Sequence, residues 1–183
     1  MIQIFNKDVL KVLTIFSTSP GSKFLRNELK EITRLNNVVL DNVLTLLINS
    51  KIIEKQKRLL VLKYNEKARK LIKIIFEEYK SLKEIPFEVY FSLIELINFL
   101  SKFKGVKVYL FGSYSKLIYK RDSDIDIAII SEKINKSDIN KLVNKIEKVY
   151  GKKIELHFFG KNFYKNKKDP LVKDILKNGV ELI

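Results

Sequence analysis

The segment LFGSYSKLIYKRDSDIDIAII, Leu110 to Ile130, joins a glycine–serine turn to a cluster of aspartates. Asp122, Asp124 and Asp126 fall within five residues, and an almost wholly apolar run follows them. Such a run is typical of a buried strand, so the aspartates are predicted to lie at the edge of the protein core. Because a buried charge is costly without a partner, this segment predicts a site that holds a cation.

The spacing of the aspartates points to a metal site. Asp124 and Asp126 are two residues apart, which places both side chains on the same face of a strand. Mg²⁺ is bound by one or two carboxylates together with substrate phosphates, and a nucleoside triphosphate would supply those phosphates. Glu155, in the later predicted strand KKIELHFF, would complete a cradle for two ions that clamp the attacking and leaving oxygens. Glu155 is also a candidate base toward an acceptor hydroxyl.

The turn at Gly112 and Ser113 is the second part of the predicted site. It follows the apolar stretch VKVYLF, so a strand is expected to lead through a tight turn into a short helix. Free backbone N–H groups at a helix start, together with a serine hydroxyl, suit a phosphate. A Gly-Ser pair is weak evidence by itself, because tight turns commonly use both residues.

The order and spacing of these parts resemble the signature of the DNA polymerase β-like nucleotidyltransferases, and most closely the minimal nucleotidyltransferases. The shared pattern is an apolar strand, Gly112-Ser113, ten residues, Asp124-x-Asp126 and an acidic residue on a later strand. The resemblance extends from Pro86 to the C-terminus. It implies that Gly112 and Ser113 contact the triphosphate. It also implies that Asp124, Asp126 and Glu155 bind metal and carry catalysis.

The chain departs from this family pattern after Ser113. The family commonly has Arg and Gly where this chain has Lys116 and Leu117. Lys116 is expected to neutralise phosphate charge, whereas losing the glycine restricts the backbone and leaves an inactive nucleotide-binding relative as an alternative. His157 shares a strand face with Glu155, and the expectation for a lone histidine of this kind is a structural role.

Composition sets limits on the classes of protein. Lys and Arg number 36 against 21 Asp and Glu, giving a net charge of +15. This charge favours polyanionic partners, although a lysine-rich, solvated surface would explain it equally well. No apolar run approaches the ~20 residues that span a bilayer, no signal peptide is recognised, and cysteines are absent. We therefore expect a cytoplasmic protein with no membrane partner and no disulfides.

Pro86 marks the predicted domain boundary, because a proline restricts the preceding residue to extended conformations and ends a helix. The expected domains are residues 1–85 and 86–183. The predicted fold class is α+β, with an N-terminal winged helix-turn-helix and a C-terminal small mixed β-sheet with flanking helices. The second helix of the first domain is expected to start with Ser22 as its cap.

The N-terminal assignment depends on the order of elements. Three helical patterns precede a predicted hairpin around the basic segment Glu54–Arg58, and this order resembles the winged helix-turn-helix family from Asn6 to Asn65. The resemblance implies a third helix in a DNA major groove and wing contacts to phosphates. The candidate DNA-binding residues are Arg34, Asn36, Asn37, Asn42, Lys55, Lys57 and Arg58. Winged helices also serve as protein-interaction or dimerisation modules, and Asp41 would repel phosphate.

Two functions remain open from the sequence. The first is transfer of a nucleotidyl group, AMP from Mg-ATP, to an acceptor hydroxyl. Relatives of this size include antitoxins that adenylylate a partner toxin, so a toxin is one candidate acceptor, beside RNA ends and small molecules. The second is a homodimeric DNA-binding regulator whose C-terminal domain only binds nucleotide or a partner.

Overall fold

The computed structural model describes residues 6–82, 84–132 and 134–183. The chain divides into two compact units, one within residues 1–83 and one within residues 84–183. None of the helices formed by the described residues has the length and apolar character needed to span a bilayer.

The N-terminal unit combines helices with a small antiparallel sheet of order β1-β3-β2. Three asparagines at helix starts explain where its longer helices begin, because the side chains of Asn6, Asn36 and Asn65 each accept a backbone N–H in the first turn. The elements are α1 (Lys7–Thr18), β1 (Lys23–Leu25), α2 (Arg26–Thr33), α3 (Asn37–Asn49), β2 (Ile53–Gln56), β3 (Leu59–Leu62) and α4 (Glu66–Tyr79).

The start of α2 differs from the sequence-based expectation. The helix begins at Arg26 rather than after Ser22, because the intervening residues form β1 and pair with β3. Phe24 of β1 packs edge-on against a core phenylalanine of α1 at 5.2 Å between ring centroids. The Leu25 N–H donates to the Glu28 carboxylate at 2.6 Å, which fixes the first helical turn at this point.

The hairpin predicted around the basic segment is confirmed. Strands β2 and β3 pair antiparallel, with Gln56 opposite Leu59, so the connecting turn consists of Lys57 and Arg58 alone. Lys57 has a φ of +58°, a left-handed conformation that a two-residue hairpin turn commonly requires. Both basic side chains of the turn therefore project from the tip of the hairpin into solvent.

The C-terminal unit is built on one mixed sheet of order β6-β5-β4-β7. Strand β5 is parallel to β6 and antiparallel to β4, which confirms the predicted mixed sheet. The two-residue strand β7 was not predicted, and it pairs with the middle of β4. The elements are α5 (Phe87–Leu100), β4 (Lys107–Phe111), α6 (Gly112–Ser115), β5 (Ile125–Ile130), α7 (Lys136–Tyr150), β6 (Ile154–Phe159), α8 (Pro170–Asn178) and β7 (Val180–Glu181).

The sheet separates two buried layers, because successive side chains in a strand point to opposite faces. One face carries Phe111 and Ala128, which form a core cluster with Val172 and Ile175 of α8. Ile127 and Ile129 alternate with these residues and are fully buried on the other face. The core cluster therefore ends at Phe111, the last residue of β4, and the carboxylates of the candidate site lie at this end of the sheet.

Candidate functional site

Asp126 occupies the centre of the candidate site. It lies in β5, opposite Phe111 of β4 and opposite Glu155 of β6. Directly paired residues of neighbouring strands share a face of the sheet, so the two carboxylates project side by side. The sequence predicted this convergence from a later acidic strand, and the parallel pairing of β5 with β6 provides it.

A histidine joins these two carboxylates. One donor atom each from Asp126, Glu155 and His157 lies within 4.8 Å of the other two. The His157 Nε2 atom is 3.3 Å from a Glu155 carboxylate oxygen. Glu155 is 56% exposed and His157 is 27% exposed, so the cluster opens to solvent. The sequence analysis expected a structural role for His157 and did not place it in this cluster. Its spacing of two residues from Glu155, on the same strand face, was the signal that pointed there.

The Asp126 carboxyl lies in an environment that disfavours its charge. Burial raises the pKa of Asp126 above its ordinary value, and the nearby negative charges of Glu155 and Asp124 raise it further. A hydrogen bond from the Ser113 backbone N–H and the neighbouring His157 act in the opposite direction. The net effect is that the ionised form of Asp126 is disfavoured, first by burial and then by its acidic neighbours, and a bound cation would favour that form.

Gly112 is required by the close approach of the β4–α6 turn to Asp126. Its φ is +72°, in the left-handed region that favours glycine. A Cβ atom at this position would lie 1.9 Å from the Asp126 carboxylate oxygen. In addition to the phosphate contact expected from the sequence, Gly112 therefore allows the turn to pack directly against the central carboxylate.

Asp124 lies just before β5, slightly apart from the compact cluster. Its carboxylate is 3.7 Å from the Lys153 ammonium and is 36% exposed. Among the described residues, the cluster whose donor atoms lie within 4.8 Å of one another contains His157 but not Asp124. Asp124 is nevertheless near enough to raise the pKa of Asp126, and its role as a metal ligand stays a prediction.

The comparison with known families bears on this geometry. The family model of the nucleotidyltransferase domain matches residues 93–182. The match includes the Gly112 turn, both aspartates, Glu155 and His157, and it supports a nucleotidyl transfer activity in general. No curated protein matches the chain.

The donor set of the C-terminal unit fits a divalent cation. Carboxylate oxygens of Asp126 and Glu155 converge with an imidazole nitrogen, and each of these groups is an ordinary ligand of divalent ions in proteins. The pKa of Asp126 at the same point is raised first by burial and then by the negative charge of Glu155. The residues that would hold the ion are thus Asp126, Glu155 and His157, with Asp124 beside them.

Lys116 forms an ion pair with a residue of α8. Its ammonium lies 2.8 Å from the Asp174 carboxylate, to which the Asn178 side chain also donates a hydrogen bond at 2.8 Å. These hydrogen bonds lower the pKa of Asp174, and the bond from Lys116 has the larger effect. Lys116 must therefore leave this ion pair, or share it, if it is to meet a phosphate as the sequence predicts.

Leu117 adopts a left-handed backbone conformation, which favours glycine. Its φ is +57°. The N–H of Leu117 donates to the Tyr114 carbonyl and that of Ile118 to the Ser113 carbonyl, which is the hydrogen-bonding pattern of a helix end with a left-handed residue. The turn therefore places a leucine in the left-handed region, which is a strained conformation for a non-glycine residue.

Replacing Leu117 with glycine is expected to stabilise the C-terminal unit by about 0.5–1 kcal/mol. The left-handed conformation costs a non-glycine residue about 1–2 kcal/mol, whereas the extra freedom of glycine in the unfolded chain costs about 0.5–1 kcal/mol. The leucine is 48% exposed, so little burial is lost. Chemical denaturation measures the change. The adjacent Ile118→Gly variant is the control and should destabilise, because Ile118 is not in the left-handed region.

Ser123 shapes the loop that leads into β5. Its hydroxyl accepts the Lys120 backbone N–H at 2.8 Å, and its carbonyl accepts the Tyr114 hydroxyl at 3.4 Å. Ser123 thus closes the turn before the aspartates and positions Asp124 at the start of the strand.

The candidate DNA-binding residues of the N-terminal unit are all exposed, and they fall into two groups. Lys55, Lys57 and Arg58 project from the hairpin and form no ion pair with any described residue. Arg34, Asn36, Asn37 and Asn42 lie at or before the start of α3 or on its exposed face. Two of these have structural roles: Asn36 caps α3, and Asn37 accepts hydrogen bonds from Arg26.

The negative charge of Asp41 on α3 is matched by Arg26 of α2. The guanidinium Nε is 2.6 Å from one carboxylate oxygen, and a second nitrogen is 3.0 Å from the other. This bidentate hydrogen bonding lowers the pKa of Asp41 and keeps it ionised. The repulsion of phosphate expected from Asp41 is therefore largely offset by an adjacent cation, which the sequence analysis did not identify.

Proposed function

We propose that this protein transfers a nucleotidyl group, AMP from ATP, to an acceptor hydroxyl. The observation that carries the proposal is the convergence of Asp126 and Glu155 beside the Gly112–Ser113 turn. A half-buried carboxylate crowded by two others is poorly suited to a purely structural role, and the match to the nucleotidyltransferase domain supports the same activity.

The reaction would be an in-line displacement at the α-phosphorus. The acceptor hydroxyl oxygen forms a bond to the α-phosphorus, the bond from that phosphorus to the bridging oxygen breaks, and pyrophosphate leaves. We assign the hydroxyl proton to Glu155, whose carboxylate is the most exposed of the cluster. Divalent cations, two in the family pattern, would supply positive charge that stabilises the charge developing on the phosphate oxygens.

Two residues are proposed to contact the triphosphate. The Ser113 N–H donates to Asp126, whereas its side chain has no hydrogen-bond partner among the described residues, so the hydroxyl is the group offered to a phosphate oxygen. Lys116 lies one helical turn further along α6 and would exchange Asp174 for phosphate. Asp174 then holds Lys116 near the site before the nucleotide arrives.

The acceptor is proposed to be a hydroxyl on a partner protein, in line with the small antitoxins that the C-terminal sequence resembles. The exposed edge of the cluster, formed by Glu155 and His157, leaves room for a macromolecular acceptor. An RNA end or a small molecule offers the same chemical group, and the experiment below separates the three.

The proposed activity is tested with ATP radiolabelled on either its α- or its γ-phosphate. The chain is incubated with Mg²⁺ and fractions of its source cells, and the products are treated with protease or ribonuclease. Nucleotidyl transfer predicts acceptor-bound label from the α position alone, with protease sensitivity if the acceptor is a protein. Label arriving from the γ-phosphate would instead show phosphoryl transfer and would contradict the proposal.

A second function, sequence-specific DNA binding by the N-terminal unit as a homodimer, is favoured by the charges of the hairpin. The order of helices and strands resembles that of winged-helix proteins, which supports the proposal, and three exposed cations cluster within four residues of the hairpin. On α3, the ion pair of Arg26 with Asp41 offsets most of the repulsion that the Asp41 carboxylate would exert on DNA phosphates. Such a unit would act as a regulator, and this role is compatible with catalysis by the C-terminal unit.

Replacing Lys57 and Arg58 together with alanine is expected to weaken DNA binding about equally for all sequences. Each lost phosphate contact should reduce the slope of log affinity against log salt by about 0.9, so the double variant should lose close to 2 for each bound protomer, or close to 4 for the dimer. Fluorescence anisotropy with a fragment of the protein's own promoter region measures this slope at several salt concentrations.

A matched control for the hairpin variant is Arg69→Ala with Lys73→Ala. These α4 residues also comprise one arginine and one lysine, and they line a groove at the far end of β3 with Leu62. The control should leave the slope unchanged. Equal loss in both double variants would show that only net charge matters, and the hairpin would then not be a DNA contact.

A further inference from the structure

We propose that His157 is a direct metal ligand, which gives the cation beside Asp126 and Glu155 a mixed nitrogen–oxygen donor set. The inference rests on the proposed function, since both place a divalent cation in this cluster, and it goes beyond it by specifying which class of ion the site prefers. The sequence-based ligand set consisted of carboxylates alone.

The separations between the donor atoms fit one ion. Ligands held about 2.1 Å from a metal lie roughly 3 Å apart when adjacent and roughly 4.2 Å apart when opposite. His157 Nε2 is 3.3 Å from Glu155, and all three donor atoms lie within 4.8 Å of one another. Side-chain adjustments of a few tenths of an ångström would therefore bring Asp126, Glu155 and His157 onto a shared ion.

The position of the imidazole is fixed by the sheet. His157 lies in β6, opposite Ala128 of β5, and the small alanine leaves the face open beside it. The edge of the Phe111 ring meets the imidazole at 5.2 Å between centroids and an interplanar angle of 72°. The ring is thus held with Nε2 directed toward the carboxylates, which limits the entropy that metal binding would cost.

A simple hydrogen bond between His157 and Glu155 would account for the 3.3 Å distance without a metal. That arrangement would make His157 a positioning residue for Glu155. It does not explain why Asp126 lies within the same small radius, at a point where its own charge is disfavoured by burial and by neighbouring carboxylates. A shared cation accounts for all three groups together.

The donor set predicts the preference of the site among metals. Mg²⁺ binds chiefly through oxygen ligands, whereas an imidazole nitrogen favours first-row transition ions, with affinity rising from Mn²⁺ to Cu²⁺ and falling again at Zn²⁺. Replacing His157 with glutamine should therefore weaken Mn²⁺ binding about tenfold or more. It should change Mg²⁺ binding by less than about threefold, because the carboxylates remain.

The decisive probe is Mn²⁺ itself, observed by pulsed electron paramagnetic resonance. The chain contains one histidine, so histidine labelled with nitrogen-15 reports on a single side chain, provided that the protein carries no polyhistidine tag. We expect a nitrogen-15 hyperfine coupling to bound Mn²⁺ in the wild type, with or without a non-hydrolysable ATP analogue. The coupling should be absent from His157→Gln and from Asp126→Asn.

Three results would overturn the inference: Mn²⁺ bound without nitrogen-15 coupling, no Mn²⁺ binding even with the nucleotide analogue, or equal losses of Mn²⁺ and Mg²⁺ affinity in His157→Gln. The wild-type spectrum decides the first two even if the variant fails to fold. Coupling without nucleotidyl transfer would retain the metal ligand and reject the proposed function. Transfer without coupling would do the reverse.

Discussion

Replacing Gly112 with alanine is expected to abolish nucleotidyl transfer and to lower the free energy of unfolding by about 2–5 kcal/mol. The left-handed backbone at Gly112 costs a non-glycine residue about 1–2 kcal/mol, and forcing an extra carbon into a packed site costs about 1–3 kcal/mol. The new Cβ would stand 1.9 Å from the Asp126 carboxylate, so the carboxylate must move away from the Ser113 N–H. Chemical denaturation and the α-phosphate transfer assay measure the two effects.

Gly151→Ala is the matched control for this substitution. Gly151 ends α7 with a φ of +67°, and nothing lies within 4 Å of a Cβ built on it. It should therefore show only the backbone cost of about 1–2 kcal/mol and keep full activity. If the two alanine variants behave alike, the close approach of the turn to Asp126 is not a determinant of the site.

The Asp126→Asn substitution is expected to lower the rate of transfer at least about 10²-fold and at the same time to raise the melting temperature at neutral pH. The rate falls because one preorganised charged group is lost from the site, and single losses of this kind cost about 10²–10³-fold. Stability rises because asparagine removes a charge that burial, Glu155 and Asp124 disfavour.

The stability gain of Asp126→Asn should depend on pH in a defined direction. The folded-state pKa of Asp126 is raised, so its contribution to wild-type stability is present below the unfolded pKa of about 3.9 and is lost as pH rises through the folded pKa. The variant should thus exceed the wild type in melting temperature at pH 7, and the difference should shrink toward about pH 4.

Asp174→Asn provides a control of opposite sign for the pH experiment. The pKa of Asp174 is lowered by its hydrogen bonds from Lys116 and Asn178. Its ionised form is therefore favoured by folding, and its replacement should lower the melting temperature at neutral pH. Asparagine variants that shift stability in the same direction at both positions would contradict the electrostatics described for the site.

Features set by local sequence were predictable. The alternation of side chains in a strand places Asp126 beside apolar neighbours, and Gly112 follows an apolar run that had to be a buried strand. The departure at Leu117 was also visible in the sequence. The structure shows its consequence, because hydrogen bonds at the helix end hold the leucine in the left-handed conformation.

Features set by pairing between distant segments were not predictable. His157 joins the cluster because β5 and β6 pair in parallel in one register, and a single sequence does not specify that register. Lys116 meets Asp174 across 58 residues of chain. Strand β1 was not predictable either, because it is defined by pairing with the distant β3. Its three residues carry too little periodicity to distinguish a strand from the first turn of a helix.

The central claim is that the Gly112–Asp126–Glu155 cluster transfers a nucleotidyl group, and the most direct test compares acceptor labelling from α-phosphate-labelled ATP across matched variants. The wild type and Asp138→Asn, an exposed carboxylate on α7 outside the cluster, should label an acceptor at similar rates. The Asp124→Asn/Asp126→Asn double variant should give no transfer above background. Equal labelling by the double variant and the wild type, or no labelling of any acceptor by the wild type, would contradict the claim.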